Sequence, residues 1–159
     1  MVRDTLLDIC SRSGVSAPKE VDIGLGGERE QVLRPADILL YSWDEGKDVC
    51  VDLTGSSPLT QTGMIDFVPG RVVTDAAKRK RVKYGAKCAN LGYGFTPFSF
   101  SSLGELETDA VALLKRIQKF SITQDIGARA ADHIFSRISF AIAKGVGAQL
   151  VSRLPTNFC

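Results

Sequence analysis

Two aspartates stand in runs that are otherwise apolar, Arg34-Pro35-Ala36-Asp37-Ile38-Leu39-Leu40 and Val49-Cys50-Val51-Asp52-Leu53-Thr54. Both runs read as buried strands, where an unpaired carboxylate costs several kcal/mol. Each strand keeps one acid that its packing does not need, which points to a shared divalent cation. Magnesium, or manganese in its place, takes one or two carboxylates together with water and substrate phosphate. The chemistry indicated is phosphodiester hydrolysis. A third acid, Glu20, falls on a preceding strand and could add a ligand, although an exposed strand residue is the more frequent role for it.

Lys78-Arg79-Lys80-Arg81-Val82-Lys83 places five cations in six residues. Such a cluster suits a phosphate backbone or an import receptor, and a solvated helix face carries the same pattern. Lys80, Lys83 and Lys87 are spaced i, i+3 and i+7, which predicts one shared helical face. Each acid also has a plain role open to it. Asp37 could pair with Arg34, and Asp52 could answer a helix lysine in a structural ion pair. Thr54 and Ser57 could turn the chain or touch phosphate. Trp43, beside a turn, could be partly buried or stack on a base.

The elements that must position these groups follow from periodicity. Val2, Leu6, Ile9 and Cys10 predict a helix over residues 2–13, ended by Gly14. Alternation predicts a strand over Lys19–Leu25, then a turn at Gly24-Leu25-Gly26-Gly27-Glu28. Strands are predicted at Ala36–Tyr41 and Asp48–Thr54, joined as a hairpin by Asp44-Glu45-Gly46-Lys47. The polar stretch from Gly55 to Gly70 reads as a long loop. A helix over Thr74–Asn90 follows, with Thr74 as its N-cap and Ala76, Ala77, Val82, Tyr84, Ala86 and Ala89 as a modest apolar face. Phe95–Ser101 reads as a strand that Pro97 places at an edge or a start. Leu106, Ala110, Leu113, Leu114 and Ile117 form one amphipathic stripe. A last helix is expected over Ile126–Lys144, with Ala130, Ile134, Arg137 or Ile138, Ala141 and Ile142 inward.

Composition narrows the classes. The chain has 159 residues, 44% of them hydrophobic, which suits one globular domain: a core over 1–104 and a helical extension over 105–159 packed on it. A net charge of +2 gives no overall basic signal. Cys10, Cys50, Cys88 and Cys159 form no CxxC pair and fit no zinc spacing; Cys10 and Cys50 read as core residues and reduced thiols. No signal peptide or membrane span is read, so an intracellular protein is expected. His133 is the single histidine, within a helical pattern, which argues against Ser-His-Asp, His-metal or HNH chemistry. Gly145-Val146-Gly147 is too weak for a dinucleotide fold.

The order helix, three strands, helix, strand is αβββαβ, and the chain resembles the PD-(D/E)xK nuclease superfamily. The likeness rests on Pro35-Ala36-Asp37 and Asp52-Leu53-Thr54. More narrowly it is similar to the restriction-like endonuclease region of non-LTR retrotransposon polyproteins and of plant reverse-transcriptase-related reading frames. Arg34–Asp37, Val51–Thr54 with Ser57-Pro58-Leu59, and Lys80–Cys88 carry that likeness over roughly residues 1–105, with Gly92 and Pro97-Phe98 following. Two positions depart from the family's pattern. An alanine separates Pro35 from Asp37, and Thr54 stands where the motif has lysine.

The resemblance implies a restriction-endonuclease-like α/β fold: the αβββαβ core with a mixed central sheet and two extra C-terminal helices. It implies Asp37 and Asp52, with Glu20, as ligands of magnesium or manganese, helped by the Leu53 carbonyl. It also implies a catalytic lysine moved onto the following helix, with Lys83 first and Lys80 second. Lys78, Arg79, Lys80, Arg81 and Lys87 would contact nucleic acid. The implied activity is nicking of target DNA in the nucleus or cytoplasm, with RNA or a reverse transcriptase of the parent polyprotein as further partners. Two other classes stay open: an inactive nuclease fold that binds nucleic acid or protein, and an α/β interaction domain without a nucleic-acid role.

Overall fold

A computed structural model describes residues 1–17, 37–57, 68–123 and 132–152. The expected strand over Lys19–Leu25, the glycine turn after it, Glu20, Arg34, Ala130 and most of the polar loop lie outside these residues. The described elements are α1 (Val2–Arg12), β1 (Ile38–Asp44), β2 (Lys47–Ser56), α2 (Arg71–Lys80), a π-helical turn (Arg81–Gly85), α3 (Ala86–Asn90), β3 (Gly94–Ser101), α4 (Thr108–Thr123) and α5 (Ile134–Ser152).

β1 and β2 form the expected hairpin. Glu45 and Gly46 both take positive φ, 50° and 81°, the twist that a two-residue turn needs to match its strands. β1 carries an irregularity between Leu40 and Asp44. Ser42 sits there at φ 47°, held by its N–H donating to Asp48 Oδ1 at 2.8 Å. The three strands lie in the order β1-β2-β3, antiparallel then parallel. The molecule is thus α/β with a mixed sheet. A parallel step cannot be made by a tight turn, and the α2–α3 helix supplies the crossover.

Strand alternation divides the side chains between two faces. Ile38, Leu40, Val49, Val51 and Phe98 join Leu6, Ile9, Leu114, Ile117, Ile134 and Ile138 in the main core. That face is covered by α1, α4 and α5, so the C-terminal helices complete the core of the sheet. Leu39 and Cys50 point the other way and pack on Tyr84 and Cys88, flanked by Tyr93 and Phe95. The result is three layers. Pro97 lies on β3, an outer strand of the described sheet, as its missing N–H requires. Ser101 N–H donates to Glu105 O and Glu107 N–H to Ser99 O, which covers part of that flank.

The crossover helix departs from expectation at its start and its middle. It begins at Arg71, and Gly70 at φ 78° takes the N-cap position expected of Thr74. The Thr74 N–H instead donates to Gly70 O, as the first full helical turn demands. The buried residues are Val73, Ala76, Ala77, Tyr84 and Cys88, whereas Val82 is 86% exposed and Ala86 and Ala89 are exposed. Val82 follows Lys80 by two residues, which turns it to the opposite side of the helix. The π turn advances less per residue than the about 100° of an α-helix. Lys80 and Lys83 nevertheless both place an ammonium near the Tyr84 ring, while Lys87 is exposed beyond them.

α5 also differs. Asp132 and His133 form a turn before it, not part of a helix, and α5 continues past Lys144 through Gly145 and Gly147 to Ser152. Ile138 is the buried residue of the Arg137/Ile138 pair, and Arg137 reaches Asp8 of α1. Leu114 and Val82 give opposite tests of this layering. Leu114→Ala should cost about 2–5 kcal/mol, while Val82→Ser should stay within about 0.5 kcal/mol. Urea unfolding of the two variants measures both.

Candidate functional site

The ladder itself brings the acids together. Ile38 lies opposite Val51, so Asp37, one residue earlier, comes level with Asp52. Directly opposed residues of an antiparallel pair share a face, and this is the face covered by α2. Asp37 Oδ2 accepts the Leu53 N–H at 2.8 Å, which ties the start of β1 to β2. Leu53, expected to offer its carbonyl, meets Asp37 through its N–H. Asp52 is only 6% exposed. Its Oδ2 accepts the Thr54 hydroxyl at 3.3 Å and stands 3.3 Å from Lys80 Nζ.

Lys80 is thus the lysine that reaches the acids, from the last residue of α2, with its side chain 30% exposed. Its ammonium also lies 5.4 Å from the centroid of the buried Tyr84 ring. Lys83, the first choice from sequence, lies 5.0 Å from the same centroid. Its side chain is exposed, and Asp52 is not among its partners in the described residues. Lys87 is exposed as well. Arg81 is held by Asp109 at the start of α4, which leaves Lys78, Arg79, Lys83 and Lys87 as the outward cations. Sequence reasoning set Tyr84 on the apolar face of this helix, where it is buried, and passed over Cys88. Lys80, Tyr84 and Cys88 recur every four residues, the signal of one helix face, and they meet Asp52, Leu39 and Cys50 in turn.

Electrostatics at Asp52 are set by three opposing effects. Burial raises its pKa most, Lys80 lowers it, and the negative charge of Asp37 raises it again. The outcome is a pKa above the ordinary aspartate range, so the neighbouring ammonium does not fully offset the lost water. Beneath the acid, burial pushes the Cys50 thiol up to about 12, helped by Cys88. These thiols are packing groups, as expected of Cys50. Trp43 is half-buried, 6.0 Å from the Phe120 ring and covered by Arg116, so it is not offered to a base. The Ser57 and Ser102 hydroxyls meet at 3.4 Å. His133 is exposed, and its carbonyl accepts the Arg137 N–H.

The acid pair fits a small hard cation. Among the described residues, the hydrogen bonds and ion pair at the two carboxylates fall on Oδ2 of each. Two carboxylates with water and phosphate are the usual magnesium set. Among the described residues no group of three His, Cys, Asp or Glu side chains is gathered for a metal, and Glu20 lies outside them. No protein-family model matches the chain, and no curated protein matches its sequence. Among the described residues no helix is long and apolar enough to cross a membrane.

The raised pKa of Asp52 has a definite sign in stability. The folded chain holds this proton more tightly than the unfolded chain does, where an aspartate titrates near 3.9. Stability from this group is therefore full at low pH, falls as pH rises from about 4 through the folded pKa, and then levels off. Asp52→Asn should remove that slope and leave the protein at least as stable at pH 7. Lys80→Ala should do the reverse, costing about 1–3 kcal/mol at pH 7 because a buried carboxylate loses its partner. Melting temperatures across pH 4–8 test both.

Proposed function

We propose that this chain is a metal-dependent nuclease domain that hydrolyses phosphodiester bonds in DNA. The observation that carries the reading is the gathering of Asp37, Asp52 and Lys80 on the α2 face of a mixed sheet, where β1 begins beside the middle of β2. The α/β order of the described α1, hairpin, crossover helix and β3 supports the reading, the expected first strand lying outside the described residues. Sequence likeness in Arg34–Asp37, Val51–Thr54 and Lys80–Cys88 supports a retrotransposon-type origin, in which such a domain nicks target DNA for a reverse transcriptase. The free Cys10, Cys50 and Cys88 thiols suit a reducing compartment, nuclear or cytoplasmic.

The residues divide the work by position. Asp37 and Asp52 would hold a magnesium or manganese ion. Such an ion, when bound, polarises a phosphate oxygen and lowers the pKa of water. Asp37 is kept in place by Leu53 N–H, so the opposing carboxylates do not swing apart under their mutual repulsion. Lys80, 3.3 Å from Asp52, would take the part of the D-x-K lysine that position 54 lacks. Its ammonium can orient water or meet the charge that grows on the phosphate in the transition state. Thr54 fills the lysine's place in sequence and instead donates to Asp52. Lys78, Arg79, Lys83 and Lys87 form the outward cationic surface on which a phosphate backbone can lie.

A second reading is favoured by one observation. Lys80 and Asp52 already satisfy each other, as a structural ion pair would. In that case the chain is a nuclease fold that binds nucleic acid without cutting it. Magnesium-dependent nicking of plasmid DNA separates the two. Asp52→Ala should abolish nicking in a folded protein, and Lys80→Ala should lower it by about 10²-fold or more, while Lys83→Ala leaves it near the original rate. A loss at Lys83 with none at Lys80 would assign the chemistry to the other lysine. Lys78→Ala and Arg79→Ala should each reduce the salt slope of DNA binding by about 1. Binding without nicking in the unaltered chain would select the second reading.

A further inference from the structure

The Tyr84 ring lies beside the acids and is fixed there by packing. Tyr84 is 7% exposed and packs with Leu39, Cys50 and Cys88 between the sheet and the crossover helix. The Phe95 ring stands 6.0 Å from it, tilted by 47°. Two ammoniums approach this one ring, Lys80 at 5.4 Å and Lys83 at 5.0 Å from its centroid. The face of an aromatic ring is negative. It attracts a cation within about 6 Å of its centroid, more strongly where water is excluded. Lys80 is the one of the two that also meets a carboxylate, with Nζ 3.3 Å from Asp52 Oδ2. A single ammonium thus stands between an acid on β2 and a buried π face.

These two partners differ once a metal ion is present. A divalent cation held by Asp37 and Asp52 competes with Lys80 for the Asp52 charge. The ammonium then loses its carboxylate and meets a like charge nearby. A lysine stem is flexible, and this side chain is 30% exposed, so repulsion alone would send it into solvent. Among the described residues, the ring face is the attraction that remains. We propose that Tyr84 is a positioning residue of the site: its ring takes over the Lys80 ammonium when a divalent cation claims Asp52, and keeps that ammonium beside the acids. The inference rests on the nuclease reading above and adds a residue that acts through Lys80. At 5.4 Å the contact is loose while Asp52 shares the ammonium, and it tightens when Asp52 is taken. The ring therefore favours the loaded site over the empty one. Easier entry of the cation and retention of the lysine have one cause.

A double-mutant cycle reads this role without DNA. Manganese alone is titrated into the protein, and binding is followed by loss of the free-ion electron paramagnetic resonance signal. Tyr84→Leu should weaken manganese binding about fivefold. Tyr84→Phe keeps the ring and should bind as the unaltered chain does. In a Lys80→Met background there is no ammonium to displace, and Tyr84→Leu should then change the affinity by less than about twofold. A purely structural role would weaken binding equally in both backgrounds. Single-turnover nicking at saturating magnesium should follow the same order, slowed in Tyr84→Leu and restored in Tyr84→Phe. Undiminished manganese affinity in Tyr84→Leu, a loss that Tyr84→Phe shares, or an equal loss in the Lys80→Met background overturns the positioning role and leaves the nuclease reading standing. The nuclease reading fails separately: it is overturned if manganese binding shows the coupling of Tyr84 to Lys80 while magnesium gives no nicking. Absence of manganese binding by the unaltered chain overturns both.

Discussion

Asp52 is nearly excluded from water, and its carboxylate ties the layers of the molecule to one another. The strand that carries it is the centre of the described sheet. The acid opposite stands one residue before β1, the ammonium belongs to α2, and the thiol beneath it belongs to the same strand and faces α3. An ionised group in this position is unfavourable by its burial and by the charge of Asp37, and is favoured, among the described residues, by Lys80 and Thr54. A shift in any one element therefore alters the charge balance of the others. This explains why the crossover helix is fixed to the sheet by a polar contact at Lys80 and by apolar ones at Tyr84 and Cys88.

The same arrangement separates holding from reaching. The main core, made by α1, α4 and α5, carries most of the large buried side chains and lies on the face away from the acids. The face that bears Asp37 and Asp52 has a smaller apolar cluster, so its stability is borrowed from the layer behind. Packing of this kind tolerates an unfavourable carboxylate, since the cost is spread over a fold whose core does not depend on it. A polar site on the thinner side is also the one whose helix can adjust when charge arrives.

Much of the frame was legible in the chain because its signals are local. The stripe Val2, Leu6, Ile9, Cys10 and the stripe Ala110, Leu113, Leu114, Ile117 are buried as their spacing predicts. Asp44-Glu45-Gly46-Lys47 makes its hairpin, and Pro97 takes an outer strand. The acids were visible as charges in apolar runs, and hairpin register then sets them level. The choice of lysine was not legible. Lys80 and Lys83 both come near the Tyr84 ring, and only the tertiary position of Asp52 decides that Lys80 pairs with it. The start of α2 was misplaced because Gly70 at positive φ can end the preceding segment as Thr74 could not. The expected last helix was taken to run through Asp132 and His133, but these polar, exposed residues form a turn and the helix described begins at Ile134.

The wide turn between Lys80 and Ala86 has a consequence for how the segment can change in length. A π turn inside an α-helix holds one residue more than a regular helix needs for the same rotation. The surplus lies where Val82 projects into solvent. Loss of a single residue there would let the helix close as an ordinary α-helix, with Tyr84 and Cys88 still turned to the sheet and Lys80 untouched. Gain of a residue has no such slack to absorb it and would rotate Tyr84 and Cys88 out of their cluster. Variation in length at this point is therefore tolerated in one direction only, toward the shorter helix.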